Sequence, residues 1–108
     1  MSIANTPKPP YYAVIFTSLH THKEKEEYDK ASARMVELAQ NMPGYLGVES
    51  VRDPNGFGIT SVYWKDKESI KAWRNHTEHK KVKKRGRVIW YEKYIVRIAK
   101  VEKDYGKI

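Results

Sequence analysis

A chain of 108 residues, 40% apolar and 12% aromatic, suffices for one domain with a small core, which a partner subunit would extend. The absence of cysteine excludes a disulfide framework, thiolate chemistry and zinc-thiolate sites. The formal charge of +8 brings nucleic acid and anionic ligands into consideration, so its distribution matters more than its sum.

Residues 1–10 hold three prolines and no periodicity, and read as a flexible arm. They lack the apolar centre of a secretory signal, and no apolar run approaches the roughly 20 residues that span a bilayer, so a soluble cytoplasmic protein with no membrane partner is expected. Tyr11-Tyr-Ala-Val-Ile-Phe-Thr-Ser18 is β-branched and aromatic almost throughout, as in a central strand. Thr21-His-Lys-Glu24 has the form of a capping box, in which hydroxyl and carboxylate each accept from a first-turn amide. Behind it Tyr28, Ala31, Met35, Leu38, Ala39 and Met42 recur at intervals of three and four, predicting an amphipathic helix that Pro43-Gly44 ends.

Tyr45 to Arg52 predicts a second strand, Asp53-Pro-Asn-Gly56 a turn, and Phe57 to Trp64 an antiparallel third strand. Asp66 then suits a helix N-cap. Ile70, Trp73 and His76 share one face of the helix it opens, but His79 and Val82 fall out of phase. The helix must therefore break near Asn75-His76-Thr77, with Thr77 capping a second segment and Gly86 stopping it, so that Trp73 and His79 both point inward. Arg87 to Val101 alternates as a long fourth strand, one side more apolar than the other. A ferredoxin-like α+β domain with βαββαβ order is predicted over residues 11–103, followed by a 104–108 tail. Both helices would cover one face of the four-stranded sheet, leaving an apolar face that a second copy would bury, hence a homodimer.

Met42-Pro-Gly-Tyr-Leu-Gly47, Val62-Tyr-Trp-Lys-Asp66, Ile70-Lys-Ala-Trp-Arg74, His79 and Trp90-Tyr91, in that order, resemble the antibiotic biosynthesis monooxygenase family over residues 11–103. The resemblance implies a dimeric α+β barrel with a cleft between sheet and helices. It further implies either cofactor-independent oxygenation of an aromatic compound or haem degradation, while many such domains have no assigned reaction. The haem-degrading pattern implies an Asn on the first strand, a Trp on the second helix and a ligating His roughly three turns later. Trp73 matches, but the first strand has no Asn and Lys83 or Lys84 stands where the His belongs. No cofactor is expected, and haem is disfavoured.

His79 at the start of a helical segment would be held neutral by the helix dipole, as a base or ligand, or simply as a hydrogen-bonded core residue. Trp73 reads as core or as the aromatic wall of a cleft, and Tyr63, Trp64, Trp90 and Tyr91 as sheet packing or as further walls around a small aromatic or hydrophobic ligand. His76 is expected to be partly exposed at that site, and His20 and His22 to lie in a loop and helix start. Four scattered histidines make a poor metal site, so no metal is expected. Glu49, Arg52 and Arg97 invite a Glu-Arg bridge across the sheet or dimer seam, with Arg97 alternatively meeting an acidic group of the substrate. The run His79-Lys-Lys-Val-Lys-Lys-Arg-Gly-Arg87 lies at a helix end and not on the sheet, which favours a solvated face over nucleic-acid binding. The catalytic expectation is thus His79 and Trp73, with Tyr63, Trp64, His76, Trp90 and Arg97 contacting substrate; the alternative is a non-catalytic ligand-binding or stress-related dimer.

Overall fold

A computed structural model describes residues 2–108. Met1, the first residue of the predicted arm, lies outside the described residues. The elements are β1 (Tyr11–His20), α1 (Lys25–Gln40), β2 (Tyr45–Arg52), β3 (Phe57–Trp64), α2 (Lys67–Arg74), α3 (Thr77–Arg85), a π-helical turn (Gly86–Trp90) and β4 (Tyr91–Val101). The strands form one antiparallel sheet in the order β2-β3-β1-β4, the ferredoxin-like βαββαβ arrangement. The predicted bounds of β2 and β3 and the break between α2 and α3 match the structure.

Register assigns the two faces. Tyr12 pairs with Trp64 and Val14 with Val62, and these side chains meet Met35, Leu38 and Ala39 of α1 and Ile70 and Trp73 of α2 in the core. Because α1 lies over β2 and α2 over β3, the β4 edge is left uncovered. Tyr94, Val96 and Ile98, which follow the helix-side register of β1, therefore stay half exposed. The opposite face carries Phe57, Ile59 and Tyr63 of β3 and Ile95 and Arg97 of β4. Residues 2–10 cross one end of it, where the Ala4 amide donates to Glu49 (3.0 Å) and Thr6 to the Tyr11 hydroxyl (3.1 Å).

Four local expectations are corrected. β1 runs two residues past Ser18, so His20 is a buried strand residue and not part of a loop. Thr21 does not cap α1: its hydroxyl donates to the Ile89 carbonyl (2.8 Å) and its amide to the Trp90 carbonyl (2.8 Å). The hydroxyl oxygen accepts from the Lys23 amide (3.1 Å) in a local turn, and left-handed residues at His22 and Glu24 delay the helix to Lys25, out of reach of a capping box at Thr21. Thr77 is likewise not the cap of α3, a position taken by His76 without a side-chain bond. α3 ends at Arg85 with Gly86 as its C-cap, but β4 does not begin at Arg87: the coil continues through a wide π turn that delays the strand to Tyr91. A glycine is required there because an added Cβ would lie 2.8 Å from the Tyr91 ring. The turn places Trp90 inward, 3% exposed, at its C-terminal end and not on the strand.

Among the described residues of one chain, no Glu-Arg bridge forms across the sheet. Glu49 and Arg52 lie three residues apart on β2 and so on opposite faces, while β3 and β1 separate Glu49 from Arg97 on β4 by about 14 Å. Glu49 instead accepts from Tyr63 (2.6 Å) and Ala4, which hold its carboxyl below the usual range.

Candidate functional site

The α2–α3 break is built from cap chemistry. The Asp66 carboxylate accepts from the Ser69 amide (2.8 Å) and hydroxyl (2.6 Å), fixing the entry to α2, and a short segment leaves Trp73 in its last turn. With α2 ended at Asn75, α3 restarts in a new direction and the side chain of His79 folds back over Trp73. Their rings stack, centroids 4.3 Å apart and planes 15° from parallel, and Nδ1 of His79 lies 3.0 Å from the Trp73 carbonyl. Because a carbonyl only accepts, that nitrogen carries the proton and Nε2 keeps a lone pair. His76 lies tilted against the same indole at 5.6 Å, as does Trp64 at 6.3 Å.

Four of the predicted residues, Trp64, Trp73, His76 and His79, thus form one continuous stack. Trp64 and Trp73 belong to the core cluster with Ala39 and Ile70, so the stack is anchored in the fold at one end and reaches partly exposed imidazoles at the other. The remaining three lie elsewhere. Trp90 packs on Tyr28 at 5.6 Å, whereas Tyr63 and Arg97 sit on the face of the sheet that the helices do not cover.

Burial, reinforced by the nearby Lys83 and His76, lowers the His79 pKa to about 4. His79 is therefore a neutral, weakly basic acceptor at pH 7. The unfolded side chain titrates near 6.5, so between 6.5 and about 4 the unfolded chain binds more protons than the folded one. Stability present above pH 6.5 is lost as pH falls through that window, on the order of 2 kcal/mol after allowance for partial exposure. In urea titrations across pH 4–7, wild type should lose stability more steeply than His79→Gln; parallel curves would show that His79 is not buried in solution.

A second constellation joins Trp90 and Tyr91, read above as packing or walls, to residues the sequence did not connect with them. The Arg52 guanidinium lies 5.7 Å from the Tyr28 ring and 5.8 Å from that of Tyr91, while His20 stacks edgewise on Tyr28 at 4.3 Å and Trp90 packs on Tyr28. The Tyr91 hydroxyl donates to Tyr28 (3.3 Å), and burial together with that bond pushes its pKa far up. Burial and the Arg52 cation lower the pKa of His20. The local signals were Arg52 on an otherwise sheet-like segment and the aromatic pair Trp90-Tyr91, with nothing local to connect them. The partners of Arg52 come from β1, α1 and β4, and register alone brings them together. Among the described residues no group of three or more His, Asp or Glu side chains could hold a metal ion.

A family model described as antibiotic biosynthesis monooxygenase matches residues 10–85. The chain is 50% identical over 102 residues to the uncharacterised protein YqjZ of Bacillus subtilis strain 168, a match covering 94% of this chain and 89% of that protein. Among solved structures, PA3566 of Pseudomonas aeruginosa superposes with a TM-score of 0.70 at 14% identity, over 92% of this chain and 99% of that one. Rv0793 of Mycobacterium tuberculosis gives 0.75 at 9% identity over 90% and 99%. A dabb-family protein with a ferredoxin-like fold from Mesorhizobium loti gives 0.65 at 12% identity over 84% and 96%. At such identities the structural likeness is one of fold.

Proposed function

The chain belongs to the antibiotic biosynthesis monooxygenase family, and from that membership we propose that it is a dimer that oxygenates a small planar aromatic compound without metal, haem or flavin. The observation that carries the reading is the His79–Trp73 stack: a neutral imidazole with a free Nε2 lone pair beside an indole, over the face of the sheet that also carries Val96 and Ile98. Ile98 pairs with Val14, which itself packs against the cluster containing Trp73.

In this mechanism the Nε2 lone pair of His79 takes a proton from an activated CH2 group of the substrate. The resulting carbanion passes one electron to O2, and substrate radical and superoxide combine into a peroxide anion. Return of the His79 proton gives a hydroperoxide, which loses water to leave a ketone, so that CH2 and O2 become C=O and H2O. A base this weak suits only a substrate whose C–H bond is already acidic, such as one flanked by aromatic rings and a carbonyl. The test is oxygen uptake with anthrone-type compounds, with one O2 consumed per ketone formed and His79→Gln at least about tenfold slower. Undiminished turnover in His79→Gln overturns the base assignment.

The depressed basicity of His79 and the burial of Trp64 and Trp73 favour a second reading, a dimer that binds a hydrophobic ligand without turning it over. Saturable binding with no oxygen uptake would select it. The basic run is partly engaged within the chain, since Arg85 pairs with Glu24 and Lys83 donates to the Arg74 carbonyl (3.0 Å), which supports a structural and solvated role over nucleic-acid binding.

A further inference from the structure

We infer that the cleft between the ends of β1 and β2 and the first turns of α1 is a binding pocket for the acidic oxygen, phenolate or carboxylate, of an aromatic ligand. The cleft has a volume of about 370 Å³, in the range of small-molecule sites, and is lined by His20, Tyr28, Asp29, Ser50, Arg52 and Asp53 among others. It is distinct from the His79–Trp73 stack, with which it shares no residue.

Two features of the cleft suit an acidic oxygen. His20 is only 4% exposed, and its Nδ1 accepts the His22 amide at 2.8 Å. The proton of the neutral ring is therefore on Nε2, and that buried N–H has no acceptor among the described residues. A buried donor left without a partner is costly, so this nitrogen offers a bond to a ligand oxygen that a small shift of its neighbours admits. Arg52 is the second. Its guanidinium is half-buried between tyrosine rings and donates to Ser18 Oγ (2.7 Å), the Tyr28 hydroxyl (3.3 Å) and the Gly56 carbonyl, all of them neutral. No carboxylate pairs with it among the described residues. The two carboxylates at the rim are otherwise engaged: Asp29 pairs with Lys25 at 2.8 Å, and Asp53 accepts from the Asn55 and Phe57 amides at 2.9 Å. A partly desolvated cation without a counter-charge is poised for an anion, and the rings of Tyr28 and Tyr91 beside it suit an aromatic one.

This inference deepens the proposed function and rests on it for the ligand's aromatic ring, though not for its charge. The experiment titrates the full chain with benzoate and with neutral benzamide, following side-chain NMR signals of His20 and Arg52. Benzoate should bind at least about tenfold more tightly, shift both signals, and lose its advantage in Arg52→Met but keep part of it in Arg52→Lys. Equal affinity of the wild type for the two probes, or shifts confined to residues outside the cleft, overturns the pocket, and both of these readouts stand even where a variant fails to fold. Benzoate preference without oxygen uptake from anthrone-type substrates would sink the oxygenase reading alone. Oxygen uptake without the preference would sink the pocket alone.

Discussion

A Trp64→Ala variant is expected to lose about 3–5 kcal/mol of stability, against the roughly 5–15 kcal/mol that holds a domain folded. Trp64 is 1% exposed at the end of β3, edge-on to Tyr45 at 5.8 Å and against Trp73 at 6.3 Å, with Ala39 and Ile70 completing its surroundings. Truncation removes the largest fully buried side chain and leaves a void that helices on one side and a sheet on the other cannot both close. Urea unfolding followed by far-UV circular dichroism measures the loss. Tyr105→Ala, at a residue 91% exposed, should change stability by less than about 0.5 kcal/mol. A change below about 1 kcal/mol for Trp64→Ala would mean that the core is not centred on this indole. The same burial places the indole within the core.

The second large effect concerns the bare face of the sheet. Ile59 and Ile95 both pair with Thr17, one from each side, and form an apolar row across β3, β1 and β4; they are 41% and 47% exposed. Phe57 extends the row, while the N-terminal residues cover only the Glu49–Tyr63 end. A self-complementary face of this kind can be buried by a second copy related by a two-fold axis, and standard interfaces remove roughly 800 Å² per partner. Wild type should sediment as a dimer of 12.7 kDa chains at micromolar concentration. The double variant Ile59→Asp, Ile95→Asp places two carboxylates on the seam, four in the dimer, without designed partners. It should dissociate at least about 100-fold more readily, because each buried charge must be desolvated. A monomeric wild type, or a dimer indifferent to both aspartates, would remove the barrel from the proposal.

The two constellations differ in what neighbouring residues could reveal. Trp73 and His79 were legible as a pair because both lie on helical segments six residues apart, where a phase error in a repeat of about 3.6 forces a visible break. Trp90 was misplaced on a strand since Arg87 to Tyr91 alternates as a strand would, and nothing local distinguishes that pattern from a wide helical turn. The capping box at Thr21 failed for a related reason. Its side chain and amide are tied to Ile89 and Trp90 of the π turn, 68 and 69 residues away, and left-handed residues at His22 and Glu24 move the helix start to Lys25.

What the chain order of residues determined alone is the βαββαβ arrangement, the bounds of β2 and β3, the Asp66 cap and the interruption before α3. Each rests on contacts between residues a few positions apart, where periodicity, turn chemistry and capping act. The tertiary structure decided which side chains meet: His20 with Tyr28, Arg52 with Ser18 and Tyr91, and the separation of Trp90, Tyr63 and Arg97 from the His79–Trp73 stack. Those encounters depend on strand order and register, which are set by the whole sheet closing on its core, and a one-residue slip would send every one of these strand side chains to the other face.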